Sequence, residues 1–170
     1  MSLLDLLGLG RPPDGRVGPA RPDHAERLAA IHAGAFARPW GPEDFESFLV
    51  DRSVRVDALF VGRDPDPDGF VVSRQAADEA EILSLALARS ARGRGHADRL
   101  LRRHLAMLAG SGVATVHLEV EEGNEPAIRL YGRVGFTQSG RRPDYYARPD
   151  GTRASALSMS LSLADFAAGR

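Results

Sequence analysis

The sequence predicts a layered α/β or α+β domain, and three observations carry that expectation. The apolar period switches from three-and-four to two and back along the chain, a run of turn-forming residues separates two β-rich stretches, and strand and helix patterns alternate through the second half. At 170 residues, with 43% hydrophobic and 26% charged residues, the chain is long enough to bury one core and has ordinary globular composition. A single domain is expected over residues 16–165, after a flexible tail over 1–15.

In order along the chain, a short strand is expected over 17–21. Pro22 and Asp23 then open a helix over about 24–35, where Leu28, Ile31 and Ala35 recur at three and four and mark a buried face. Pro42, in a first-turn position, opens a second helix through Phe45, Phe48 and Leu49. The period then changes. Residues 54–61 and 70–74 read as strands joined by Asp64-Pro65-Asp66-Pro67-Asp68-Gly69, a hairpin tip by composition, and 81–87 reads as a third strand. After Gly93 to Ala97 the stripe Leu100, Leu101, Leu105, Leu108 predicts a helix ending at Gly110. In the strand over 113–120, Val116, Leu118 and Val120 face one way while Thr115, His117 and Glu119 face the other. A helix over 125–134 has Pro126 in its first turn and Gly135 as its stop, and strands over 136–146 and 154–163 flank Pro149-Asp150-Gly151.

Composition narrows the function. A formal net charge of -1 hides a cluster of Arg89, Arg92, Arg94, Arg99, Arg102 and Arg103, a local field that suits a phosphorylated ligand. Balanced total charge gives little support for a nucleic-acid partner. Without cysteine there is no disulfide framework, thiolate nucleophile or thiolate-ligated metal, which favours a cytoplasmic address. The leucine-rich start contains Asp5, has no basic leader and runs into Arg11-Pro12-Pro13, so it is not read as a signal peptide. No apolar run approaches the roughly 20 residues of a membrane span, so no membrane partner is expected. His24 and His32, like His96 and His104, are spaced by eight, with no paired ligand motif, and no metal is expected. No serine lies in a nucleophile elbow.

The most informative segment is Arg92-Gly93-Arg94-Gly95-His96-Ala97, between an expected strand and the helix whose first turn it forms. Unpaired amides at a helix start and the helix dipole attract anions. Gly93 and Gly95 let the backbone approach a phosphate closely, and Ala97 adds little bulk. Alone, the same pattern also fits a flexible turn entering an amphipathic helix.

Together with its surroundings, however, the segment resembles a family. Arg92-x-x-Gly95-x-Ala97 after Ile82-Leu83-Ser84-Leu85-Ala86-Leu87 is similar to the Q/R-x-x-G-x-G/A signature of GNAT acetyltransferases. Leu118-Glu119-Val120, Asn124, Ala127-Ile128-Arg129-Leu130-Tyr131 and Val134-Gly135-Phe136 resemble that family's later block. Within it, Arg141-Arg142, Tyr145-Tyr146, Asp150-Gly151 and Met159 resemble ribosomal-protein-alanine acetyltransferases of the RimI type. Relative to that tail, this chain holds one more residue before the tyrosine pair and one more after Asp150-Gly151, and Leu87-Ala88-Arg89 lacks the frequent Asp-Pro.

The resemblance implies a mixed, mostly antiparallel twisted sheet flanked by helices, with a central splay for acetyl-coenzyme A. It implies that the backbone of Arg92, Gly93, Arg94, Gly95, His96 and Ala97 holds the donor's pyrophosphate. The backbone of Leu85 and Leu87 would pair with the pantetheine arm, and Asn124 and Tyr131 would touch the donor. Asn124 is equally placed to cap the next helix. Glu119 is expected to take a proton from the acceptor amine and Tyr131 to protonate the leaving thiolate. A solvated strand-end carboxylate and a core aromatic beside Ala127 and Val134 are the plainer readings. The expected acceptor is a protein or peptide N-terminus, in a groove formed by Arg142, Tyr145 and Tyr146 with Trp40 opposite. A small-molecule amine or lysine acceptor keeps the same chemistry, and a non-catalytic acetyl-coenzyme A sensor does not.

Overall fold

Segments with period-two alternation become strands and those with a three-and-four stripe become helices in the computed structural model, which describes residues 15–148 and 150–167. The order is β1 (Gly15–Pro19), α1 (Ala25–Ala33), α2 (Pro42–Val50), β2 (Val54–Val61), β3 (Gly69–Ala76), β4 (Glu79–Leu87), α3 (His96–Gly110), β5 (Thr115–Glu121), α4 (Glu125–Val134), β6 (Thr137–Ala147), β7 (Arg153–Ser162) and α5 (Leu163–Ala167). Seven strands form one sheet in the order β1-β2-β3-β4-β5-β7-β6. Every neighbouring pair is antiparallel except β4 and β5, which run parallel. The sheet is therefore mixed and mostly antiparallel, with helices on both faces, as the resemblance implied.

The boundaries that differ have local causes. β1 covers 15–19 rather than 17–21 because it follows β2, from Gly15 opposite Val61 to Pro19 opposite Asp57. Gly15, assigned above to the tail, is thus in the sheet; the rest of that expected tail, residues 1–14, lies outside the described residues. α1 ends at Ala33, where the amides of Ala35 and Phe36 both donate to the His32 carbonyl and the chain turns away. Val113 donates to the Leu108 carbonyl behind Gly112, at φ 89, and so closes α3 rather than opening β5. Phe136 closes α4 in the same way, by donating to the Tyr131 carbonyl.

Two cores cover the two faces. Leu100, Leu101, Leu105 and Leu108 of α3 and Leu130 and Val134 of α4 pack on Val71, Ile82, Val116, Leu118 and Val120. On the other face Leu28, Ile31 and Phe45 of α1 and α2 meet Val56, Phe70, Val72 and Ala86. One polar group interrupts the α3 stripe. His104 is fully buried; its Nδ1 donates to Asp57 Oδ2 at 2.7 Å, and its Nε2 accepts from the Ser73 hydroxyl at 2.8 Å. Arg55 donates twice to the same carboxylate, at 2.7 and 2.9 Å. Ser73, His104 and Asp57 mimic a hydrolytic triad, but all three are shut away from any substrate, and their effect is to pin α3 to β2 and β3. Buried polar groups satisfied in this way specify one packing.

The parallel pair is short. β4 and β5 are paired only from Glu79 opposite Thr115 to Ile82 opposite Leu118. Beyond that point residues 84–87 stay paired with β3, while β5 continues against β7. A bulge coincides with the parting: Val72 faces Ser84 and Ser73 faces Ile82, so Leu83 is the extra residue on β4. Bulges bend the strand that carries them. The result is a wedge between β4 and β5, open at the end where α3 begins.

The α1/α2 face also carries His32, buried, stacked on Trp40 with centroids 4.6 Å apart, and accepting the Trp40 amide on Nδ1 at 3.0 Å. Burial pushes its pKa down to about 4. The unfolded chain therefore binds this proton first, so stability is fully present above pH 6.5 and falls as the pH drops towards 4, by on the order of 3 kcal/mol from His32 alone. Denaturant titrations at several pH values should show that slope flattened in His32→Phe; an equally steep slope in the variant would remove His32 as its cause.

Candidate active site

The start of α3 is built to leave amides free. Gly93 and Gly95 both take left-handed conformations, φ 73 and 77, and Gly95 is the residue before the first helical turn. Having no side chain, Gly95 cannot cap the helix, and the first bond back to its carbonyl comes from Arg99 at 3.2 Å. The amides of His96, Ala97 and Asp98 are thus left without partners in the helix, at its positive end. A Cβ at Gly93 would meet nothing within 4 Å, so the loop faces open space and its glycines are needed first for backbone conformation. Close approach to a phosphate was the reason expected from the sequence; the positive φ values add a second.

The side chains around this loop divide into braces and free groups. Arg92 donates from Nε to the Leu87 carbonyl at 2.9 Å and from Nη2 to the Gly34 carbonyl at 3.5 Å, tying the loop to the end of β4 and to α1. One lone pair of the Leu87 carbonyl is therefore taken in this structure, and the other is available. His96 points inward against Gly15 and Leu59, so only its backbone faces the loop. Arg94 is exposed and Ala97 packs on the core. Leu85 lies in the unpaired stretch of β4, half-buried.

Across the wedge, Asn124 caps α4: its side chain accepts the Ala127 amide at 3.3 Å, and Pro126 sits in the first turn. The capping reading holds for the structure, and its position at the wedge leaves the donor contact open as a proposal. Tyr131, on α4, is buried against Phe136 with ring centroids 5.8 Å apart. Burial pushes its hydroxyl up to about 12, and the neighbouring Tyr146 adds to the shift. Glu119 lies one residue past the last β4/β5 pair, on the opposite face from Leu118. Its Oε1 accepts from Arg142 Nη1 at 2.7 Å. Tyr146 on β6 is raised to about 12 by burial and then by the Glu119 charge, so it stands near both groups. Glu119 thus sits where the strands part, and Tyr146 stands near both Glu119 and Tyr131, which come from opposite faces of the sheet.

Two features escaped the sequence reading. Glu81 pairs across from His117 on β4 and, like Glu119, lies on the α1/α2 face at the point where the strands part, so Glu119 is not the only carboxylate there. The alternation of Glu79 and Glu81 with Ala80 and Ile82 signals that face, but the β4/β5 register that brings Glu81 to Glu119 is not written in either strand. The second feature is in β6. Between Arg142 opposite Ala156 and Tyr146 opposite Ala154 the register slips, and Asp144 has φ 51. β6 holds two residues more than β7 between these pairs, and this bulge, which falls just before the tyrosine pair, leaves Tyr145 exposed beside Tyr146. A cavity of about 330 Å³ between the start of β2, the end of α2 and Ser111 holds none of these groups.

Comparison with known proteins agrees with this geometry. Residues 25–136 match the acetyltransferase (GNAT) family. The chain is 37% identical, over 81% of its length and 92% of the relative's, to the [ribosomal protein bS18]-alanine N-acetyltransferase of Haemophilus ducreyi. The crystal structure of the corresponding Escherichia coli enzyme superposes with a TM-score of 0.79 at 27% identity, covering 88% of this chain and 94% of that one. A spermidine N-acetyltransferase of Vibrio cholerae shares the fold, with a TM-score of 0.77 at 16% identity over 90% and 96% of the two chains.

Proposed function

The chain belongs to the acetyltransferase (GNAT) family and is an N-acetyltransferase, and from that premise we propose that it acetylates the α-amine of a protein N-terminus, a ribosomal protein being the intended acceptor. The observation that carries the proposal is the wedge. It has an unpaired strand edge along one side, an uncapped helix start at its mouth, and Glu119 just past the last strand pair, with Tyr146 near both Glu119 and Tyr131. Those parts fit acetyl-coenzyme A, the family's donor. The free amides after Gly95 and the loop backbone from Arg92 suit a pyrophosphate. The open edge of β4 around Leu85 and Leu87 suits the amides of a pantetheine arm, as an added strand would. Asn124 flanks the arm from the start of α4.

When bound, the donor supplies a thioester carbonyl for attack and a thiolate to depart. Glu119 takes the proton released by the attacking amine, directly or through a water, and Glu81 adds negative potential that favours a cationic acceptor. Tyr131 stays protonated at every working pH, because its pKa of about 12 lies far above them, and its hydroxyl serves the departing sulfur. A falling alkaline limb of the rate below about pH 11 would therefore have to come from another group.

The α-amine follows from proton affinity. An N-terminal amine has a reference pKa of about 7.7 to 8.0 and lysine about 10.4, so near neutrality far more of the former is ready to attack, and one carboxylate base suffices. In this reading the exposed Tyr145, with Tyr146 beside it and the half-buried Trp40 of the α1/α2 face, receives the extended chain end. Among the described residues no helix is long and apolar enough to cross a membrane. A ribosomal acceptor places the enzyme in the cytoplasm, with no metal needed for the chemistry.

Tyr131→Phe keeps the ring and removes the proton, and turnover should fall about 100- to 10,000-fold, with coenzyme A binding retained; turnover within a few-fold of the parent would take Tyr131 out of the mechanism. The acceptor is tested with paired peptides, one with a free N-terminus and no lysine, the other blocked at the N-terminus with an internal lysine, and with spermidine as a third amine. Mass readout should show acetylation of the free N-terminus first. Equal or faster acetylation of the lysine or the polyamine would overturn the α-amine reading, and absence of turnover with bound acetyl-coenzyme A would favour a sensor.

A further inference from the structure

Arg142 has no part in the chemistry above, yet it occupies the best-placed position at the site. Its Nη1 lies 2.7 Å from Glu119 Oε1, and its guanidinium carbon lies 4.8 Å from the centre of the Tyr145 ring, which it covers. The two other glutamates at this end of β5 have arginines of their own: Glu122 pairs with Arg141 at 2.7 Å, and Glu121 pairs with Arg148. Arg142 is therefore committed to Glu119. The Glu119 side chain is 21% exposed and the Arg142 side chain 56%, so the cation is the more solvent-accessible partner of the pair.

An amine that reaches Glu119 arrives largely as an ammonium, because lysine and N-terminal amines are partly or wholly protonated near neutrality. We propose that Arg142 is an internal stand-in for the acceptor's ammonium, paired with Glu119 between turnovers and displaced by the acceptor as one cation replaces another. This rests on the reading of Glu119 as proton acceptor. Among the described residues Glu119 is the carboxylate ion-paired with Arg142, and Tyr145, which the guanidinium already covers, holds it when the acceptor takes its place at Glu119, since a cation over an aromatic face is attracted to it. The exchange leaves Glu119 with a cationic partner throughout. It selects for cationic acceptors and against neutral or anionic ones, which cannot replace the guanidinium at the carboxylate. An exposed ion pair is weak, so the stand-in delays the acceptor little. Arginine also suits the place because it does not give up its proton and so cannot become an acetyl acceptor itself; a lysine there would offer a nucleophile to the thioester.

The test uses steady-state kinetics of the full chain with acetyl-coenzyme A and an N-terminal peptide, in the parent, R142A and R142Q. Removing the competing cation should lower the acceptor KM about two- to five-fold, the range set by an exposed ion pair, with kcat moving less than KM. Guanidinium chloride at about 0.2 M, the dissociation constant that an ion pair of ~1 kcal/mol allows, should compete with the acceptor in R142A beyond an equimolar sodium chloride control, while the parent shows no such excess, because only the variant has the place vacant. In E119Q/R142A that competition should vanish. A higher acceptor KM in both variants, or guanidinium inhibition equal in parent and R142A, would overturn the proposal and make Arg142 an ordinary contact. The two readings fail separately: E119Q with turnover near the parent's would sink Glu119 as base, whereas guanidinium competition reports the cation site whatever the base is.

Discussion

The parting of β4 from β5 after Ile82 and Leu118 is the constraint on which the rest of the site depends. Backbone groups of a strand inside a sheet are normally paired on both sides, and an unpaired edge is a liability because it invites another chain. Here the unpaired edge is confined to residues 83–87 and lies inside the sheet, with β5 turned away to β7. The bulge at Leu83 makes this possible. It bends β4 without ending it, so the strand keeps its bonds to β3 while losing those to β5. Had the pair run on, Glu119 would sit mid-sheet and the α3 loop would open onto no slot.

What holds the wedge open is remote from it. α3 must present its first amides at a fixed height, and it is fixed by Asp57, His104 and Ser73 near its middle as well as by its leucine stripe. At the loop, Arg92 bridges the Leu87 and Gly34 carbonyls, so the left-handed glycines are held by a side chain that a phosphate does not need to recruit. Arg102 joins the far side, with its guanidinium on the Arg133 carbonyl at the end of α4. Three of the four buried histidines are thus tools of packing: His32 under Trp40, His104 under the sheet and His96 against Gly15.

Much of this was legible in the sequence, and the limits follow from range. Local signals read well: residues 54–61 and 125–134 were placed without error, because period, proline at the first turn and glycine at the stop are all local. Ends set by capping bonds, as at Val113 and Phe136, were read as strand because the residues are strand-forming and the bond that claims them comes from a helix. The family motifs single out Gly95, Glu119, Asn124 and Tyr131 as one set, which no periodicity does. Glu81 and the Glu119–Arg142 pair stayed hidden, since both depend on register between strands far apart in sequence. The β6 bulge was visible only as an extra residue, with nothing local to say that it would push Tyr145 outward.

If the wedge edge and the helix start receive the donor together, hydrogen exchange on the full chain, with and without acetyl-coenzyme A, will report it. Added donor should slow exchange at amides within residues 83–87 and within 93–98, while β2 and β3 change little. Protection confined to other segments, such as the cavity beside Ser53 and Ser111, or protection of the loop without the β4 edge, would contradict joint binding.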